Sequence, residues 1–297
     1  MDLPSEDSLR WIVSRYAGLH ARHGAGIGAP ELVQPTGDYF PDAFTPTGEA
    51  VAQLLARTLE YVPVKDGLDV RLRFVDASGE EEGGACGTGG CGSKAGSCGT
   101  GAKATDAPRD RVLELEDGYL LEMPAESVGH PVALTTALSR AAGAIVLAEA
   151  DEDVSPVEVG GMSELAAIAS GLGVLIVSGA HVYGKSCGGA RISRHTHLTV
   201  EEASVALALF VALHGKKPSV ARAHLETTQR EAFAEALDWV ESNPLLLAQL
   251  RTRPEVLEAG LFRIEEPKGF LAKLFARRKA SEEEAAFSAA SPKRSAS

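Results

Sequence analysis

Residues 131–180 read PVALTTALSRAAGAIVLAEADEDVSPVEVGGMSELAAIASGLGVLIVSGA, and this stretch decides the fold. From Pro131, the apolar residues Val132, Leu134, Leu138, Ala142, Ile145 and Val146 recur at helical spacing. Gly129 and Pro131 suit a helix entry, because a proline in the first turn lacks only an N–H that would have no partner there. An acidic loop follows. The apolar run Leu165 to Ala180 then predicts a second helix. It carries Ser and Gly and is too short for a comfortable membrane span.

Composition bounds the function. The chain has 297 residues, a formal charge of -12 and four cysteines. Such an acidic balance argues against general nucleic-acid binding, which needs a basic face to neutralise phosphates. MDLPSEDSLRW lacks the basic start and apolar core of a secretion signal. A cytoplasmic protein is expected, with thiols reduced or metal-bound rather than paired as disulfides.

Outward from the centre, Leu9, Trp11, Ile12, Tyr16 and Leu19 predict a first helix, with Ser5 or Asp7 as cap. A second helix starts at Thr47 to Glu49. LDVRLRFVD alternates like a half-buried strand, and VLEL and YLLEM flank the turn residues Asp117 and Gly118 as a hairpin. Downstream, Thr199 and Glu202 form a capping box ahead of an apolar helix that stops at Gly215. His214 reads as a last-turn residue, and His224 has no evident partner in the sequence.

The composition changes abruptly after the first strand. Glycine dominates, and Cys86, Cys91 and Cys98 fall inside this segment without the two-residue spacing of zinc ribbons. Three thiolates plus Cys187, His195 or His197 would satisfy zinc or an iron–sulfur cluster. Glycine-flanked cysteines could equally reach one another for thiol–disulfide chemistry, or remain free in a solvent loop.

A catalytic zincin carries HExxH on a helix such as 131–149. The four-residue spacing sets both imidazoles on one face, the glutamate activates the zinc-bound water, and a third ligand comes from a following helix. ALSRAAGAIVL resembles the TLAHELGHVLL-like helix of bacterial zincin-like proteins. SELAAIASGLGVLIVSGAHVY is similar to their next helix, which carries an acidic ligand before a GLG segment. The likeness extends to PELVQPTGDYFPDAF and HLTVEEASVALALFVALHGKKPSVARAHL, and so takes in most of residues 30 to 240.

This resemblance implies that Arg140 stands at the first histidine position, Ala141 at the glutamate and Ala144 at the second histidine. Only the downstream acid has a counterpart, Glu164. One carboxylate cannot hold catalytic zinc, and no general base is left beside it. The implied protein is a pseudo-metallopeptidase. Small residues at 141 and 144 would let the next helix approach closely. Arg140 would either pair with Glu164 across the two helices or point to solvent.

Near the C-terminus, Phe270, Leu271, Leu274 and Phe275 alternate with Lys268, Lys273, Arg277, Arg278 and Lys279. A short basic amphipathic helix of this kind could make weak peripheral membrane contact through 268–279, dock on a partner, or pack back on the domain. The tail after it is disordered by composition.

The expected fold is α+β, a small antiparallel sheet plus a mostly helical zincin-like half. The expected division is 1–78 (N-terminal helices and strand), 79–110 (Gly/Cys-rich insertion), 111–266 (hairpin and helical core) and 267–297 (basic segment and tail). The expected function is non-catalytic binding of a protein partner, through the cysteine loop or the tail. The competing readings are a metal-binding or thiol-redox protein using Cys86, Cys91 and Cys98, and a hydrolase whose site is not visible in sequence. No cofactor is expected beyond zinc or iron–sulfur at the cysteines.

Overall fold

The structure is a computed structural model. It describes residues 3–23, 30–65, 67–75, 110–186 and 189–265. Cys86, Cys91, Cys98 and Cys187 lie outside these residues, as do Phe270, Leu271, Leu274, Phe275, Arg277 and Arg278. The architecture is α+β.

Helix α1 spans Glu6–His23. Its cap is Ser5, whose hydroxyl accepts from the Ser8 N–H at 3.2 Å. Leu9, Ile12, Val13, Tyr16 and Leu19 form its buried stripe. Helix α2, Gly48–Leu59, is capped by Thr47, which accepts from the Ala50 N–H at 3.3 Å.

Strands β1 (Asp69–Val75), β2 (Arg111–Leu115) and β3 (Gly118–Pro124) form one sheet in the order β1-β3-β2. The sheet is mixed and not the antiparallel sheet expected, since β1 runs parallel to β3 and only β2 is antiparallel to it. Strand alternation fixes which face is buried but not which strand is central. Here the most apolar strand, β3, takes the centre, and the arginine-bearing strands take the edges, where unpaired backbone and charge both meet water. Leu121 and Met123 face Leu134, Leu138 and Ala141 and the α2 residues Val51 and Leu55. On the opposite face Glu122 sits in register between Arg73 and Arg111 and forms ion pairs with both.

Helix α3 spans Pro131–Glu149, with Pro131 in its first turn. Its antiparallel neighbour runs as α4 (Val159–Ala167), a π-helical turn (Ile168–Leu172) and α5 (Gly173–Ala180). Gly171 causes the break. Its φ is 105°, and a Cβ there would lie 2.0 Å from the Glu31 carbonyl oxygen. Only glycine lets the 31–33 segment pass this close, and the Val33 N–H then donates to the Gly171 carbonyl at 3.0 Å. Helices Pro131–Glu149 and Val159–Ala180 are long and apolar enough to cross a membrane by length and composition, but 72% and 78% of those windows are buried inside the fold.

Strands β4 (Val182–Ser186) and β5 (Gly189–Ser193) pair antiparallel as a two-stranded ribbon, which the sequence did not predict. Helix α6, Val200–Leu213, opens with the capping box of Thr199 and Glu202. Every residue from Ala203 to Val211 is buried, as suits a helix enclosed on all sides. Around it pack α1 and α8 (Thr227–Ser242), which contribute Tyr16, Phe233 and Trp239 to the core. Helices α7 (Pro218–Arg222), α9 (Pro244–Thr252) and α10 (Pro254–Glu258) each start on a proline.

Candidate functional site

Of the positions singled out by the zincin resemblance, Arg140 and Glu164 come together between α3, α4, the entry to β2 and the loop after β5. Arg140 is their centre, and its side chain is 6% exposed. It does not reach solvent. Its Nε donates to Asp110 Oδ2 at 3.0 Å, and its Nη2 bonds Asp110 Oδ1, so the pair is bidentate. Its Nη1 donates to the His195 carbonyl at 2.5 Å and lies 3.6 Å from Glu164 Oε1.

Glu164 is fully buried on α4. Its two oxygens accept from the backbone N–H groups of His197 at 2.6 Å and Leu198 at 2.8 Å. Burial pushes its carboxyl up to about 7, against the opposing pull of Arg140 and the two N–H groups. Both oxygens are therefore engaged by the protein itself. Their partners are the loop that joins β5 to α6 and the guanidinium on α3.

His195 and His197, proposed from sequence as metal ligands beside the cysteines, belong to this same cluster through their backbones. The His195 ring has Nε2 3.5 Å from Ser193 Oγ. The His197 ring lies against Gly160, where an added Cβ would meet it at 2.4 Å. Burial first, and Arg140 second, lower the pKa of both rings, with His130 adding to the effect at His195. Among the described residues, no three His, Cys, Asp or Glu side chains gather in an arrangement that could hold a metal ion.

Ala141 and Ala144 do not share one environment. Ala141 is buried in the cluster between α3 and the sheet, whereas Ala144 is half-buried. The helices come into close backbone contact at Gly143, where a Cβ would lie 1.9 Å from the Ser163 carbonyl oxygen and 2.8 Å from the Ala167 nitrogen. The α3 and α4 backbones thus meet at the glycine between the two alanines.

Asp110 is the residue that sequence reading missed. It was placed at the end of the Gly/Cys-rich insertion, thirty positions from Arg140, and no local signal marks it as a partner. His224 does have a partner, since its Nε2 lies 2.9 Å from Gln34 Oε1. His214 caps the end of α6 and packs its ring on Phe210, 4.7 Å between centroids.

No family model, curated protein or solved structure matches this chain.

Proposed function

We propose that this is a non-catalytic, zincin-like protein of the cytoplasm that acts by binding a protein partner. One observation carries the non-catalytic part of the reading. Glu164, the single acidic counterpart of a zincin ligand, has both oxygens committed to backbone N–H groups and faces the Arg140 guanidinium. A zinc ion at Glu164 would have to displace a buried cation and break two hydrogen bonds to the carboxylate. Arg140 supplies no lone pair, Ala141 no base and Ala144 no ligand. What the arrangement can do is mechanical. It ties α3, α4, the start of β2 and the 194–198 loop into one block.

The test is a zinc titration by calorimetry. The protein carries Ser in place of Cys86, Cys91, Cys98 and Cys187, which isolates the Glu164 region from the thiols. The reading predicts no binding that Glu164→Gln removes. Stoichiometric zinc that Glu164→Gln abolishes would overturn it.

A further inference from the structure

Helix α8 carries four carboxylates, Glu231, Glu235, Asp238 and Glu241, against a single cation, Arg230. Their spacings of four, three and three residues set the acids in one stripe along the helix, and all four are exposed. Like charges at these spacings weaken the helix that bears them. Glu241 also stands in the last turn, where the negative end of the helix disfavours an anion. Among the described residues, Glu231, Glu235 and Glu241 have no ion-pair or hydrogen-bond partner. The stripe therefore opposes the stability of its own helix, as residues kept for contact with something else do.

The described chain ends at one end of this stripe. Asn243, the C-cap of α8, is 3% exposed and clamps Glu265 through two bonds. The Glu265 N–H donates to Asn243 Oδ1 at 2.8 Å, and Asn243 Nδ2 donates to the Glu265 carbonyl at 3.0 Å. The chain therefore leaves the fold beside Glu241. Leu245, two positions after Asn243, and Leu261, four positions before Glu265, are 37% and 71% exposed. Three residues past Glu265 begins a segment with Lys268, Lys273, Arg277, Arg278 and Lys279, with Phe270, Leu271, Leu274 and Phe275 among them, and with no acid from 267 to 280. Length matches as well as charge. The stripe is about 15 Å long, and twelve residues span about 18 Å even as a helix. We infer that the solvent face of α8 is the docking site of the chain's own segment 268–279. The cations answer the carboxylate stripe, and the apolar side chains cover Leu245 and Leu261. The short tether keeps the effective concentration of this occupant above that of any free competitor. The inference goes beyond the binding role proposed above and does not depend on it. A partner or membrane that takes up the segment must first displace it from α8.

The test is hydrogen exchange read by mass spectrometry on the full-length protein. The amides of 268–279 should exchange at least tenfold more slowly in wild type than in Glu231→Gln/Glu235→Gln/Glu241→Gln, and salt at about 1 M should remove the difference. These substitutions keep side-chain size at exposed positions, and circular dichroism checks the fold. A second variant, Lys273→Glu/Arg277→Glu/Arg278→Glu, leaves the described residues unchanged and should lose the same protection. Combining the segment variant with Glu231→Lys/Glu235→Lys/Glu241→Lys should restore it. Exchange of 268–279 at the unprotected rate in wild type overturns the inference, and so does protection that either of the first two variants retains. Two other occupants are also outcomes that overturn it. One is a membrane, shown if the segment is protected only when vesicles of phosphatidylserine and phosphatidylcholine are added. The other is a second copy, shown by a dimer on size-exclusion chromatography that both variants dissolve together with the protection.

Discussion

Arg140 and Asp110, thirty positions apart, close a buried bidentate ion pair whose side chains are 6% and 8% exposed. Glu164 stands 3.6 Å from the same guanidinium. One cation thus answers two buried carboxyl groups, and its removal leaves both without it. Arg140→Ala should therefore cost about 3–5 kcal/mol, read by urea denaturation. Arg140→Lys keeps the charge but loses the planar fork, so its loss should fall between wild type and Arg140→Ala. A loss below about 1 kcal/mol for Arg140→Ala would match a surface pair and contradict this geometry.

Glu164 gives a pH dependence with a definite sign. Burial raises its folded-state pKa from 4.5 to about 7. The folded protein therefore binds this proton more tightly than the unfolded chain does. The contribution of Glu164 to stability is largest below pH 4.5, falls as pH rises towards 7, and is level above that. The difference in unfolding free energy between wild type and Glu164→Gln should shrink across that interval. Denaturation curves at several pH values read it. A difference that grows with pH would contradict the sign.

The histidine pair at the other end of α6 works in the opposite direction. Burial lowers the pKa of His214 from 6.5 to about 4, with His20, Lys216 and Arg251 adding to the effect. The His20 and His214 rings meet edge to face at 6.2 Å, and burial lowers His20 as well. The unfolded chain takes up these protons first, so stability is lost as pH falls below 6.5. The His214 ring resonances should titrate near pH 4 by NMR. A midpoint at 6.5 or above would contradict the burial of this ring.

Much of this was legible in the sequence because it is local. The apolar spacing from Val132 to Val146 marked α3, Thr199 with Glu202 marked the start of α6, and Asp117-Gly118 marked the β2–β3 turn. Each signal lies within one or two turns of chain, where periodicity and capping chemistry act. The central position of β3 is different. Strand order depends on competition among all three strands for the buried place, and alternation within one strand carries no information about it. The β4–β5 ribbon was obscured because Gly184, Gly188, Gly189 and Cys187 outweigh the short Val182-Tyr183 and Arg191-Ile192 pieces that carry strand character. The resemblance to zincins singled out Arg140 and Glu164, but Asp110 could be found only once the chain had folded back on itself.

The contact at Gly143 gives a prediction independent of charge. The nearest atom to an added Cβ is a backbone oxygen of α4 at 1.9 Å, so no side-chain rotation can relieve the clash. Gly143→Ala should force α3 and α4 apart and cost roughly 1–3 kcal/mol, despite alanine's higher helix propensity. Thermal melting reads the loss. A variant as stable as wild type would mean that the two helices do not meet there.

The measurement that tests the central claim most directly is peptidase turnover. Purified full-length protein would be given zinc and a quenched fluorescent casein substrate, beside Glu164→Gln with its fold checked by circular dichroism. The account predicts no turnover in either protein, because Arg140, Ala141 and Ala144 supply neither ligands nor a base and Glu164 is held by the backbone of His197 and Leu198. Turnover in the wild type that disappears with Glu164→Gln would contradict it.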